Sequence, residues 1–197
     1  MHKDLICYKS PYFSLAVKDH WKEGREGRVP LPDDDPAAFA LYIQWIYRGR
    51  ICSSQDMGET EGNREEMNLL IEAFVLGEKL QDRDFRDAVI DSLIQAVDTP
   101  DAQNKKWYPP PATVDRAYRA TPESSPLRRL LVDMYYFHGR PEWLDEASNA
   151  EFVRDLARIF LQGRTDNVTR ADRTTAKLAG CSYHCHGAEN ACYKSLP

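Results

Sequence analysis

The residues best suited to chemistry lie near the C-terminal end: Cys181, His184, Cys185, His186 and Cys192. Thiolates and imidazoles are the ligands zinc takes, four at a time and at tetrahedral geometry. By type, Cys181, Cys185, His186 and Cys192 are the candidate metal ligands. Their spacing matches no standard pair-and-pair zinc pattern, and the polar tail around them has no helical or strand periodicity. The sequence therefore predicts solvent-facing thiols and imidazoles, with no metal and no cofactor. A small zinc-binding protein built on this tail is the alternative. Nucleophilic catalysis by one of these thiols would need a base held beside it, and the tail offers nothing to hold one.

Other candidates have plainer explanations. The run Asp33, Asp34, Asp35 resembles a cation site in composition, but three adjacent carboxylates point in different directions, and capping of the helix that follows explains them better. His138 ends an apolar helix, where a cation complements the helix dipole. His2 reads as a packing or interface residue and His20 as a solvated loop residue. No Gly-rich phosphate loop, nucleophile elbow or metalloprotease helix is present. The chain is predicted not to be an enzyme.

The positioning elements centre on residues 28–51. Val29 and Leu31 alternate as a brief strand would. Asp35 and Pro36 then open a helix, with Phe39, Tyr42, Ile43, Ile46 and Tyr47 on one face, Leu41 and Trp45 on a second, and Gly49 to end it. Before this, residues 2–9 read as a helix, and Ser10-Pro11 starts another. Residues 18–28 read as a charged loop. Residues 52–66 read as a solvated loop, followed by two helices with Asp82 or Asp84 capping the second. Three consecutive prolines at 109–111 mark a boundary. Beyond it, Thr113, Ser125-Pro126 and Asn149 each start a helix. From Gly163 onward the tail is expected to be poorly ordered.

Several of these stretches resemble the BTB/POZ family. His2-Lys3-Asp4-Leu5 leading to Ser10-Pro11-Tyr12-Phe13 is similar to that family's first helix. Val29-x-Leu31, then Asp35-Pro36 and Phe39, then Trp45-Ile46-Tyr47-Arg48-Gly49 looks like its strand, second helix and Tyr-x-Gly end. Residues 73–80 look like its third helix. The stretch AYRATPESSPLRRLLVDMYYFHG resembles the helical extension of a group of fungal BTB proteins. The resemblance implies a helix-rich α/β (α+β) fold, namely a BTB/POZ-like helical cluster with a small sheet. It also implies protein interaction, often homodimerisation, and in some members recruitment of a cullin-type ubiquitin ligase scaffold. BTB domains begin with a strand hairpin ahead of the His-Lys helix, whereas here Met1 directly precedes His2. The expectation is an N-terminally truncated sheet, with the strand at 29–31 left open at its edge.

Composition narrows the function. Over 197 residues the formal net charge is −5, and no basic block appears, which argues against a nucleic-acid partner. No apolar run approaches the roughly 20 residues needed to span a bilayer. Five cysteines, an odd count, fit a reducing compartment, so the expected location is intracellular, cytoplasm or nucleus. The predicted organisation is a BTB/POZ-like domain at 1–98, a Pro-rich linker at 99–112, a helical extension at 113–162 and a polar tail at 163–197. The predicted function is a protein-interaction module acting in self-association, possible as a homodimer, or in partner recruitment. An adaptor for a cullin-type ubiquitin ligase is the alternative. The candidate contact surface is the first helix and the open sheet edge, with Leu5, Tyr8 and Tyr12 as contact residues.

Overall fold

A computed structural model of the chain describes residues 2–53, 59–145, 148–165, 181–186 and 190–195, with backbone alone at 59–62 and 163–165. Its helices are α1 (Lys3–Lys9), α2 (Pro11–Ala16), α3 (Lys22–Glu26), α4 (Pro36–Arg48), α5 (Glu59–Leu80), α6 (Arg83–Asp98), α7 (Pro111–Ala120), α8 (Pro126–His138) and α9 (Ala150–Thr165). Short 3₁₀ turns add Pro141–Trp143 and Tyr193–Ser195.

The helix starts follow local chemistry. Asp35 Oδ1 accepts from the N–H groups of Ala37 at 2.6 Å and Ala38 at 3.1 Å, with Pro36 at the first position. Gly49, at φ +65°, ends α4 and donates to Trp45 O. Of the two capping candidates for α6, Asp82 is the cap, accepting from Phe85 N at 2.9 Å. Asn149 caps α9 through Glu151 N and Phe152 N. Ser10 both caps α2 and donates to Leu80 O at 2.7 Å, joining the N-terminal pair of helices to the end of α5.

The expected sheet does not form. Among the described residues there is no strand, so the fold is all-helical and the α/β assignment is corrected. Residues 28–31 follow an irregular path. Pro30 and Pro32 bias the residues before them to extended backbone, yet each removes a ladder donor. A strand also needs a neighbour, and no described segment supplies one. Two loop expectations change as well. Helix α3 interrupts the charged run at 18–28, and α5 begins at Glu59, inside the stretch expected as loop up to Glu66. Glu and Arg are good helix formers even without an apolar face. Residues 54–58 of that expected loop lie outside the described residues.

The α5–α6 hairpin is the centre of the packing, with α4 against one side of α5 and α7 against another. Tyr42, Leu70, Phe74, Leu80, Phe85, Ile90 and Leu93 are fully buried there. The core continues without a break through α7, α8 and α9 to Phe152 and Leu156, and reaches Tyr183. Tyr135 Oη donates to Pro109 O at 2.9 Å, so the proline segment is tied to α8. No described helix is long and apolar enough to cross a membrane.

Candidate metal centre

Helix α6 builds the floor of the site. Asp87 and Asp91 lie one turn apart on it, so both carboxylates project from one face. The C-terminal segment lies across that face and is held from both sides. Tyr183, itself buried, donates to Asp133 Oδ2 of α8 at 2.6 Å. Tyr193 donates to Asp91 and meets the Trp45 ring edge-on at 5.4 Å. The backbone N–H of Cys185 donates to Asp87. Lys194 Nζ sits 2.8 Å from Asp91 Oδ2. The Cys/His segment expected to lack a scaffold is therefore scaffolded at 181–186 and 190–195. Residues 166–180, 187–189 and 196–197 of the expected disordered tail lie outside the described residues.

This docking turns four side chains toward one another. One ligand atom each from Cys181, His184, His186 and Cys192 lies within 4.8 Å of every other. His184 Nδ1 is 3.1 Å from His186 Nε2 and 3.6 Å from Cys192 Sγ. A turn closed by His184 N–H donating to Cys181 O at 3.1 Å brings the first two residues together. The His184 side chain is fully buried, whereas Cys181 is exposed and forms the mouth.

Three of the four sequence candidates, Cys181, His186 and Cys192, join this group, and Cys185 does not. His184 takes its place. The hydrogen bond from Cys185 N to Asp87 and the burial of Tyr183 fix which way the intervening side chains point. Burial pushes the Cys185 thiol up to about 12, with nearby Arg86 pulling the other way and Asp87 adding to the rise. The readable signal for His184 was its position three residues after Cys181, the reach of a single turn.

The electrostatics around the group are anionic. His184 Nε2 faces Asp91 Oδ2 at 3.1 Å, off the line of a good hydrogen bond. Asp87 is completely buried, and its Oδ2, 3.9 Å from His184 Nδ1, has no hydrogen-bond partner. Burial raises the Asp87 carboxyl above its usual range, opposed by the Cys185 N–H and by His184. The Cys181 thiol is raised too, by desolvation first and then by the Cys192 thiol beside it.

The candidate contact residues sit elsewhere. Tyr8 is 83% exposed, while Leu5 and Tyr12 are half-buried against the core. Next to them, an open apolar groove of about 530 Å³ runs between α1, α2 and the 28–31 segment, lined by Ile6, Phe13, Val17, Val29, Leu31 and Phe39. Helix α3 closes one end. Gly24 permits this, because a Cβ there would collide with the carbonyl of Lys18. His138 stacks on Tyr108 at the end of α8, His2 lies against Tyr47 and His20 against Trp21.

Comparison with protein-family models, with curated proteins and with solved structures finds no match for this chain.

Proposed function

We propose that this chain is a non-enzymatic protein-interaction module that associates with a second copy of itself through α1 and the adjoining groove. The carrying observation is the groove itself, an apolar trough lined by Ile6, Phe13, Val17, Val29, Leu31 and Phe39, in a region of the chain that also exposes Tyr8, Leu15 and Trp21. Exposed apolar surface of this kind favours association, because burial against a partner removes it from water. The BTB/POZ resemblance supports the same reading through the residues of α1, α2, α4 and α5. It no longer rests on a sheet.

Sedimentation velocity over a concentration series, with circular dichroism on the same sample, tests this reading. A helical protein whose mass rises to that of a dimer is expected, and Tyr8→Asp at the exposed ring weakens the association. A helical monomer at every concentration overturns self-association. A dimer indifferent to both Tyr8→Asp and Val29→Asp overturns this face.

A further inference from the structure

We propose that Cys181, His184, His186 and Cys192 form a closed Cys₂His₂ site for one Zn²⁺, which pins the C-terminal segment to α6.

The distances fit. Zinc at ~2.3 Å from sulfur and ~2.05 Å from nitrogen, at tetrahedral angles, sets its ligand atoms about 3.3 Å apart for two nitrogens and about 3.6 Å apart for sulfur and nitrogen. The nitrogens of His184 and His186 are 3.1 Å apart, and Cys192 Sγ lies 3.6 Å from His184 Nδ1. The remaining separations stay within 4.8 Å, and rotation of the exposed Cys181 side chain shortens the three that involve it.

The ligand set selects the ion. Calcium and magnesium need oxygen ligands in larger numbers. Two thiolates and two imidazoles at tetrahedral spacing suit Zn²⁺. All four positions are filled by protein, which leaves none for water or substrate, so the site is structural. Two thiolates also balance the ion's double charge, so the partly buried centre carries no net charge.

The surroundings make the independent case. A histidine that ligates through one ring nitrogen normally donates its other N–H to a carboxylate or carbonyl, which sets the tautomer and the ring plane. His184 presents Nδ1 to the cluster, and its buried Nε2, which has no hydrogen-bond partner, lies 3.1 Å from Asp91 Oδ2, within reach of such a bond after a small turn of the ring. Asp91 is in turn held by Tyr193 and Lys194. The second observation is Asp87, whose buried and unpartnered Oδ2 points at the cluster from 3.9 Å. A buried carboxylate oxygen left without a partner is costly, and an imidazole polarised by a bound Zn²⁺ turns more positive toward it although the centre as a whole is neutral.

The test uses the full chain, purified under reducing conditions without chelator. Zinc is read by elemental analysis, thiol state by mass spectrometry and geometry by cobalt(II) substitution. One zinc per chain is expected, together with the ligand-field bands of tetrahedral, thiolate-bound cobalt. Cys181→Ser, at an exposed position, and Cys192→Ser remove the stoichiometric metal, while Cys185→Ser keeps it. Circular dichroism of each variant separates loss of metal from loss of fold, and the cobalt spectrum of the unaltered protein needs no variant. Reduced protein that carries no zinc and gives no tetrahedral cobalt spectrum overturns the proposal. So does a Cys181–Cys192 disulfide formed without added oxidant, or a Cys185→Ser protein that loses the metal as fully as Cys181→Ser. None of these readouts depends on self-association.

Discussion

The carboxylate of Asp91 lies 3.1 Å from Nε2 of His184, and the same carboxylate holds Tyr193 and Lys194. One side chain on α6 thus stands beside the imidazole that faces the cluster, off the line of a good hydrogen bond, and anchors the chain on its far side. Asp91→Asn keeps the shape and removes the charge. Zinc affinity should fall by about 10–100-fold, the range for loss of an outer-shell partner. Competition against a chromogenic chelator measures it. Unchanged affinity would show that Asp91 does not position the ring.

Metal removal should loosen the C-terminal segment while leaving the helical core in place. A ligand that binds only the folded state adds about 2.7 kcal/mol when present at 100 times its Kd. Chelation should therefore lower the thermal midpoint, and hydrogen exchange should rise at 181–186 and 190–195 more than along α5. A uniform rise across the chain would place the metal's contribution elsewhere.

Asp82 gives a pH test. Burial raises its carboxyl above the usual range, against the opposing effects of Phe85 N–H and Lys9. An acid whose folded pKa is raised favours the fold while protonated. That contribution is complete below the unfolded value of ~3.9 and is lost as pH rises through the folded pKa. Asp82→Asn retains an acceptor for Phe85 N and abolishes this loss, so its stability should change less between pH 4 and pH 7 than that of the unaltered chain. Asp82→Ala also removes the cap and the partner of Tyr42 Oη, and should cost about 1–2 kcal/mol. Urea titrations at both pH values would decide.

Arg128 should be the most sensitive charge in the C-terminal half. It is 6% exposed, donates to the carbonyls of Tyr118 and Thr121, pairs with Glu151 at 2.6 Å and lies over the Tyr118 ring. Arg128→Ala orphans the buried carbonyls of Tyr118 and Thr121 and leaves a void, costing about 1–3 kcal/mol for each carbonyl left unpaired. Glu151 is over half exposed, so Glu151→Gln should cost under ~1 kcal/mol. Equal losses in chemical denaturation would contradict this division.

Gly77 marks the close approach of α5 and α6. A Cβ there would meet Arg86 Cγ at 2.7 Å and Phe85 Cδ1 at 3.0 Å. Arg86 can move, but Phe85 is fully buried. Gly77→Ala should therefore lower stability by about 1–3 kcal/mol despite better helix propensity. A rise in the unfolding midpoint would show that the hairpin relaxes without cost.

Much of the helical framework was readable because its signals are local. Asp35, Asp82 and Asn149 each satisfy N–H groups two or three residues ahead, and Ser10 does the same for Phe13. Such bonds need no distant partner, so residue order alone announces them. The strand expected at Val29 and Leu31 does not form because a strand exists only if another segment pairs with it, and alternation along the chain does not report a missing neighbour. Helix α5 starts earlier than its apolar pattern announces, at Glu59, because polar helix-forming residues carry no periodic signal.

The candidate site divides along the same line. Residue type alone drew attention to the thiols and imidazoles at 181–192 and made zinc the alternative, while their spacing favours solvent-facing side chains with no metal. Only the tertiary structure chose His184 over Cys185. Adjacent side chains in an irregular segment point in different directions, and which one turns inward depends on anchors distant in sequence. Here those anchors are Asp87 and Asp91 on α6, Asp133 on α8 and the ring of Trp45 on α4. Caps are decided by neighbours along the chain. A four-ligand cluster is decided by what the chain is packed against.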